Sequence, residues 1–282
     1  MKYTLLSLLI MAACPAAMAQ SDTDIVRPVT SIYTVEVGSS HQSDTYLTPL
    51  HYDGIGMALS YERWQAMRFD PDRWVMNLSG RLSADRDRNP ARNATMWATG
   101  LDLSWSMMRR WQVSAARGLT LAAGGITQLD LGILYLMRNS NNPASVRASW
   151  TVGVSAQATW RTHIGRLPVT VGYRPSVPLV GAFFSPDYDE LYYEIYLGNH
   201  SKLAHCAWPG NYRRIDQLLS LDLRFGGTWL RLGYRCNIQS TKVSNLVTRD
   251  ISHLFTIGIS GEWISLNPRR MPSPDARYIP AF

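Results

Sequence analysis

The chain has 282 residues, with 28 Lys+Arg against 21 Asp+Glu and a net charge of +7. The cations are scattered, which excludes the basic stripe of a nucleic-acid binder; an anionic lipid surface suits the charge better. Hydrophobic residues make up 46% of the chain, yet after the N-terminus no run approaches the ~20 apolar residues of a spanning helix.

Residues 1–19 read as a secretory signal peptide. Lys2 is the positive n-region, Leu5 to Ala13 a short apolar run, and Ala17-Met18-Ala19 a small-x-small cleavage site. A lipoprotein signal ending at Cys14 is the alternative, which Met11 and Pro15 fit poorly. Export through a cleaved signal peptide directs the chain to the Gram-negative envelope.

Beyond the signal the dominant pattern is period-2 alternation, the signature of strands with two unlike faces. Tyr33, Val35 and Val37 alternate with Thr34, Glu36 and Gly38. Met57, Leu59 and Tyr61 alternate with Ala58, Ser60 and Glu62, and Met76, Leu78 and Leu82 with Asn77, Ser79 and Arg81. Trp97 and Trp105 bracket Thr99, Leu101 and Leu103, with Gly100, Asp102 and Ser104 on the other face. Leu129, Leu131 and Ile133 alternate with Asp130 and Gly132. From Ala148 to Trp160 one face is apolar and the other is Ser, Thr, Gly and Gln, with Trp150 and Trp160 ten residues apart on the apolar side. In a strand tilted near 40° that spacing covers roughly 25 Å of axis, the height of an outer-membrane apolar band with an aromatic at each edge.

The stretch Leu219 to Arg235 reads as a hairpin turning at Gly226-Gly227, where both central positions can take φ > 0. Residue i then faces residue 453 − i, so Asp222 meets Arg231 on one face while Leu221 meets Leu232 on the other. Phe255, Ile257, Ile259 and Trp263 continue the apolar series opposite Thr256, Gly258, Ser260 and Glu262. The second face is small or singly charged throughout. That suits the concave inside of a curved sheet better than the Lys/Glu/Thr-rich outside of a soluble sandwich.

The expected fold is therefore all-β: an antiparallel transmembrane β-barrel of about twelve strands. They fall near 29–38, 55–64, 73–84, 95–108, 111–123, 127–137, 146–161, 167–174, 190–197, 214–225, 228–240 and 251–264. An even count places both ends and the Gly226-Gly227 turn in the periplasm, and the connections 39–54, 85–94, 198–213 and 241–250 outside. The connection 163–166 is then short for the outer side. The stretch 175–189, with Pro175, Pro178 and Pro186, is long for a turn and reads as a lumen plug. The organisation is a signal peptide over 1–19, a barrel over 20–266 and a loose periplasmic tail over 267–282.

The stretches RNSNNPAS (138–145), PLVGAFFSPDYDELYYEIYLGNHSKLAH (178–205) and LRLGYRCNIQSTKVSNLVTRDISHLFTIGISGEW (230–263) resemble a Bacteroidetes family of exported proteins with a domain of unknown function. The resemblance implies an outer-membrane-type β-barrel. It implies no activity and no catalytic residues.

The inward face carries Glu36, Glu62, Arg81, Asp102, Asp130, Glu194, Asp222, Arg231, Arg235 and Glu262. Asp222 and Arg231 are direct cross-strand partners, and Glu262 on the next strand is placed to reach Arg231. Such charges could select ions or bind a small polar solute. The plainer reading, a structural network that leaves no buried charge unpaired, weighs more. Trp97, Trp105, Trp150, Trp160 and Trp263 are expected at the lipid interfaces.

His41 and Ser43, with Asp44 or Asn199 as orienting group, are the least poor candidates for a Ser/His hydrolase acting on outer-leaflet lipid. A His-x-Ser tripeptide is nevertheless common by chance. Cys206 and Cys236 could form a disulfide if the loop before the hairpin folds back; two separate thiols are the plainer reading. No Cys/His spacing resembles a metal site, and no cofactor is expected. The leading function is passive, a narrow channel or structural barrel among outer-membrane lipids. The alternatives are the lipid hydrolase and a subunit docking an unknown protein partner through its outer loops.

Overall fold

A sheet with one apolar and one polar face must cover one of them, and closing on itself removes its edges as well. The computed structural model describes residues 25–114, 118–139, 143–186, 192, 197–198, 203–226, 228–263 and 276–281. Its strands are β1 (Ile25–Val26), β2 (Val29–Asp44), β3 (His51–Ala66), β4 (Trp74–Arg88), β5 (Thr95–Ser114), β6 (Leu119–Leu136), β7 (Ala144–Ile164), β8 (Leu167–Phe184), β9 (Ala204–Ala207), β10 (Tyr212–Phe225), β11 (Thr228–Val243), β12 (Leu246–Trp263) and β13 (Arg277–Tyr278). Strands β2 to β8 pair in sequence, β8 pairs with β10, and β12 returns to β2, all antiparallel. The described residues thus form a closed barrel of ten strands. β9 extends the edge of β8, and β1 lies parallel to β13. No helix among the described residues is long and apolar enough to cross a membrane.

The count of twelve is corrected to ten at two places. Trp111 to Ser114 finishes β5, and β6 runs unbroken through Gly124-Gly125 into the segment read as a separate strand. A Cβ at Gly124 would press on the Met107 carbonyl, so this glycine permits close strand approach and makes no turn. The expected strand 190–197 lies mostly outside the described residues, and the direct β8–β10 pairing closes the ring without it. Each surplus strand reverses the side of all later turns. The two errors cancel, so Gly226 sits at the barrel end that carries the termini, as expected. The short connection at 165–166 moves to that same end.

The plug reading of 175–189 is also overturned as far as Phe184. Pro175 faces Gln217 and Pro178 faces Gly153 within β8, and Leu179 forms a bulge where the register shifts. A bulge is one of the few places where a sheet tolerates proline. The hairpin register is as read: Asp222 faces Arg231, Leu221 faces Leu232, and Gly226 has φ 63°. Gly227 lies outside the described residues.

Around the outside, Leu221, Leu232, Ile257, Val35, Leu59, Leu82, Leu101 and Leu131 are successive cross-strand neighbours from β10 to β6. All but Leu221 are exposed. On the inside, the register passes from Thr170 of β8 through Asp222, Arg231, Gly258, Thr34, Ser60, Arg81, Asp102, Asp130 and Ser149. It returns to β8 at Phe183, thirteen residues beyond its start. This offset is the stagger that tilts the strands of a closed barrel.

The tail is not loose over residues 276–281. Ala281 packs with Ile32, Trp64, Val75, Met108 and Ala122 inside the barrel end. Arg110 Nη1 donates to the carbonyls of Pro280 and Ala281, each at 2.9 Å.

Candidate functional site

Strand parity aims the charges inward, and the closed barrel brings them together across its lumen. Glu62 on β3 accepts two bonds from Arg174 on β8, at 2.9 and 2.6 Å, and one from the Trp64 indole at 3.1 Å. Arg231 and Arg235 each lie 3.7 Å from it. Glu36, fully buried, meets Arg81 at 2.9 Å and Arg235 at 3.1 Å. Arg214 bridges Asp102 and Asp130, each at 2.6 Å, while Arg235 also holds Asp216 at 2.9 Å. Arg231 grips Asp222 through two bonds of 2.7 and 2.8 Å.

Several of these pairs cross the lumen. β3 and β8 are five positions apart in the ten-strand ring, so Arg174–Glu62 spans its diameter. Nearer the loop end Arg147 on β7 reaches Asp250 and Gln42, each at 3.0 Å on the far wall. Apolar clusters lie toward each end of the lattice. Toward the loop end Leu47, Tyr52, Met96, Leu134 and Leu136 pack together; at the terminal end stands the cluster that receives Ala281. A cavity of about 680 Å³ remains near the terminal mouth, lined by Ile32, Arg161, Asp222, Trp229, Glu262 and Tyr278 among others.

Eight of the expected lumen charges join this lattice or line it. Glu262 does not: it is exposed at the terminal mouth and makes no ion pair among the described residues. The place proposed for it beside Arg231 is filled by Glu62 from across the lumen. Glu194 lies outside the described residues. Arg174, Arg214, Asp216, Arg147 and Asp250 also belong to the lattice. The same alternation along their strands aims all five inward, with Asp250 one residue before the expected start of its strand.

His41 and Ser43 share a strand face, but no hydrogen bond joins them among the described residues. His41 Nδ1 instead lies 2.6 Å from Asp53 Oδ1 across the β2–β3 ladder. Asp44, expected to orient His41, accepts the backbone N–H of Tyr46 and shapes the turn. Asn199 lies outside the described residues. Cys206 and Cys236 are free thiols. Cys206 faces Ala182, whereas Cys236 faces Gln217, which faces Pro175. Those seven residues of β8 put them about 23 Å apart along the strand, beyond any disulfide. Trp97, Trp105, Trp150 and Trp160 all point outward, 41–55% exposed; nothing is described of the Trp263 side chain. Tyr192, in the connection after β8, accepts the Val146 N–H at 2.7 Å, and burial pushes its phenol pKa up. Among the described residues no group of His, Cys, Asp and Glu could hold a metal ion.

These features define a class: a closed antiparallel β-barrel with an exposed apolar girdle and a lumen crossed by arginine–carboxylate pairs. The chain belongs to the family described as "Protein of unknown function (DUF3316)", whose model matches residues 3–270. A comparison with curated proteins found no match. Among solved structures, the chain is similar to the outer-membrane protease OmpT of Escherichia coli, with TM-score 0.45, 8% identity, and 87% of this chain and 99% of that one covered. It is similar to the transport unit of the Escherichia coli autotransporter AIDA-I, with TM-score 0.42, 6% identity, and 92% and 97% covered. It is also similar to the translocator domain of the Neisseria meningitidis autotransporter NalP, with TM-score 0.39, 9% identity, and 92% and 96% covered. With TM-scores below 0.5, these matches add nothing to a fold that stands on the chain's own register and burial.

Proposed function

We propose that the protein is an outer-membrane β-barrel that is closed rather than conducting, with its girdle in lipid and its charges serving as internal braces. The exposed aliphatic row supports the location, since a soluble sheet rarely leaves so continuous an apolar band in water. The four outward tryptophans fit the two interfaces of such a band. The observation that carries the closed reading is the Arg174–Glu62 bridge across the diameter, flanked by Arg214 and Arg235. Ions would have to displace paired charges whose separation costs several kcal/mol. Wild-type protein in planar bilayers is expected to give no stable current steps; steady unitary conductance would overturn this reading. Heat-modifiable gel mobility of detergent-extracted protein tests the barrel itself.

A second reading, that the barrel retains a small polar solute on its terminal side, is favoured by the 680 Å³ cavity. That volume is in the range of small-molecule sites. A small molecule released from purified protein on denaturation would support it. The hydrolase reading is not favoured, because His41 is engaged by Asp53 with no bond to Ser43.

A further inference from the structure

The outward face of the barrel is not uniform around its circumference. At the loop end of β10, β11 and β12 three cations meet. Arg213 faces Ser240, Ser240 faces Arg249, and Lys242 lies two residues further along β11 on the same face. With strands about 4.8 Å apart, Arg213 and Arg249 sit about 10 Å from each other with Lys242 between and above them. All three side chains are exposed. Arg213 is steadied by a 2.8 Å bond from its Nε to the Pro209 carbonyl. Arg249 and Lys242 have no ion-pair partner among the described residues. His51 and Arg88 continue the basic rim on β3 and β4. Asp53, an acid on this rim among the described residues, is held by His41.

The next outward row toward the girdle is Ile215, Ile238 and Ile251, and Trp208 stands 58% exposed in the turn before β10. Cations thus stand directly above an apolar wall with an aromatic beside them. On the opposite wall the corresponding strand positions are uncharged: Thr95, Tyr135, Val146 and Ala182.

We infer that Arg213, Lys242 and Arg249 form a binding site for the phosphate of an outer-leaflet phosphorylated lipid, whose acyl chains lie on Ile215, Ile238 and Ile251. The inference rests on the membrane-barrel reading above and adds the side of the barrel and the headgroup chemistry. Guanidinium and ammonium donors match phosphate oxygens, and a membrane-embedded wall restricts the bound anion to one that carries chains.

The test is native mass spectrometry of the full-length protein in detergent, titrated with diphosphoryl lipid A or with the same lipid stripped of its phosphates. Wild type is expected to hold the phosphorylated lipid and not the stripped one. The triple variant R213Q/K242Q/R249Q should lose affinity on the order of a hundredfold, at about fivefold per cation. The variant R63Q/R109Q, which removes outward arginines at the other end, should bind as wild type. Equal binding by the triple variant, or equal binding of the stripped lipid, overturns the site. Heat-modifiable mobility of every variant is checked first, because its loss in wild type would sink the barrel reading rather than the site alone.

Discussion

Glu62 lies within 4 Å of three of the lumen arginines. Removing its carboxylate as Glu62→Ala takes two bonds from Arg174 and one from the Trp64 indole, together with two more distant arginine contacts. Arg231 keeps Asp222, and Arg235 keeps Glu36 and Asp216. Among the described residues Arg174 then keeps the face of Trp64, 5.4 Å from its ring centre, and no carboxylate. The cost is therefore essentially that of one buried cation left without its acid, about 3–5 kcal/mol. Arg174→Ala should cost a similar amount, since it strands Glu62 among weaker contacts. The double variant should then lose little more than either single one, with a coupling energy above about 2 kcal/mol. Urea unfolding in lipid vesicles, followed by tryptophan fluorescence, reads all four corners of the cycle. Additive single effects, or a neutral Glu62→Ala, would refute the brace.

Other outcomes are equally specific. Leu59→Arg, in the middle of the exposed girdle, should destabilise the vesicle-embedded barrel by about 2–4 kcal/mol, measured in the same urea titration; a neutral result would mean that this row does not face lipid. In a Cys206→Ser/Cys236→Ser background, the variant Ile279→Cys should resist maleimide and become reactive when Arg110→Ala and Arg277→Ala together remove the side-chain bonds to the Pro280 and Ala281 carbonyls and to Asp72. Immediate labelling without the two arginine substitutions would show the tail undocked. The monomer band of the wild-type protein should run alike on gels with and without reductant, and Cys206 should take up maleimide in the folded state; a reductant-dependent shift of the monomer band would contradict the 23 Å separation.

Strand identity and facing were legible because one physical rule, alternation, governs most of the chain. The hairpin at Gly226 could be registered residue by residue, since a tight turn fixes everything that follows it. The strand count was not legible, because the same residue pair serves two ends. Gly226 takes a positive φ and turns the chain, whereas Gly124-Gly125 stays within a strand, with Gly124 letting β5 approach. Proline misled in the same way: Pro175 and Pro178 look like breakers, yet β8 accommodates them beside a bulge at Leu179. In the lumen, Asp222–Arg231 was found because the two are neighbours on one hairpin. Arg174–Glu62 was not, because no local pattern says which strands stand opposite one another once the ring has closed.

The thirteen-residue offset with which the inward register returns to β8 has a mechanical consequence. Asp222, Arg231, Arg81, Asp102 and Asp130 all lie on that one row, so they climb the inner wall like steps of a spiral stair instead of forming a single ring. A ring is breached wherever one member is lost. A stair presents an obstacle at every level, so removing one step leaves those above and below it in place.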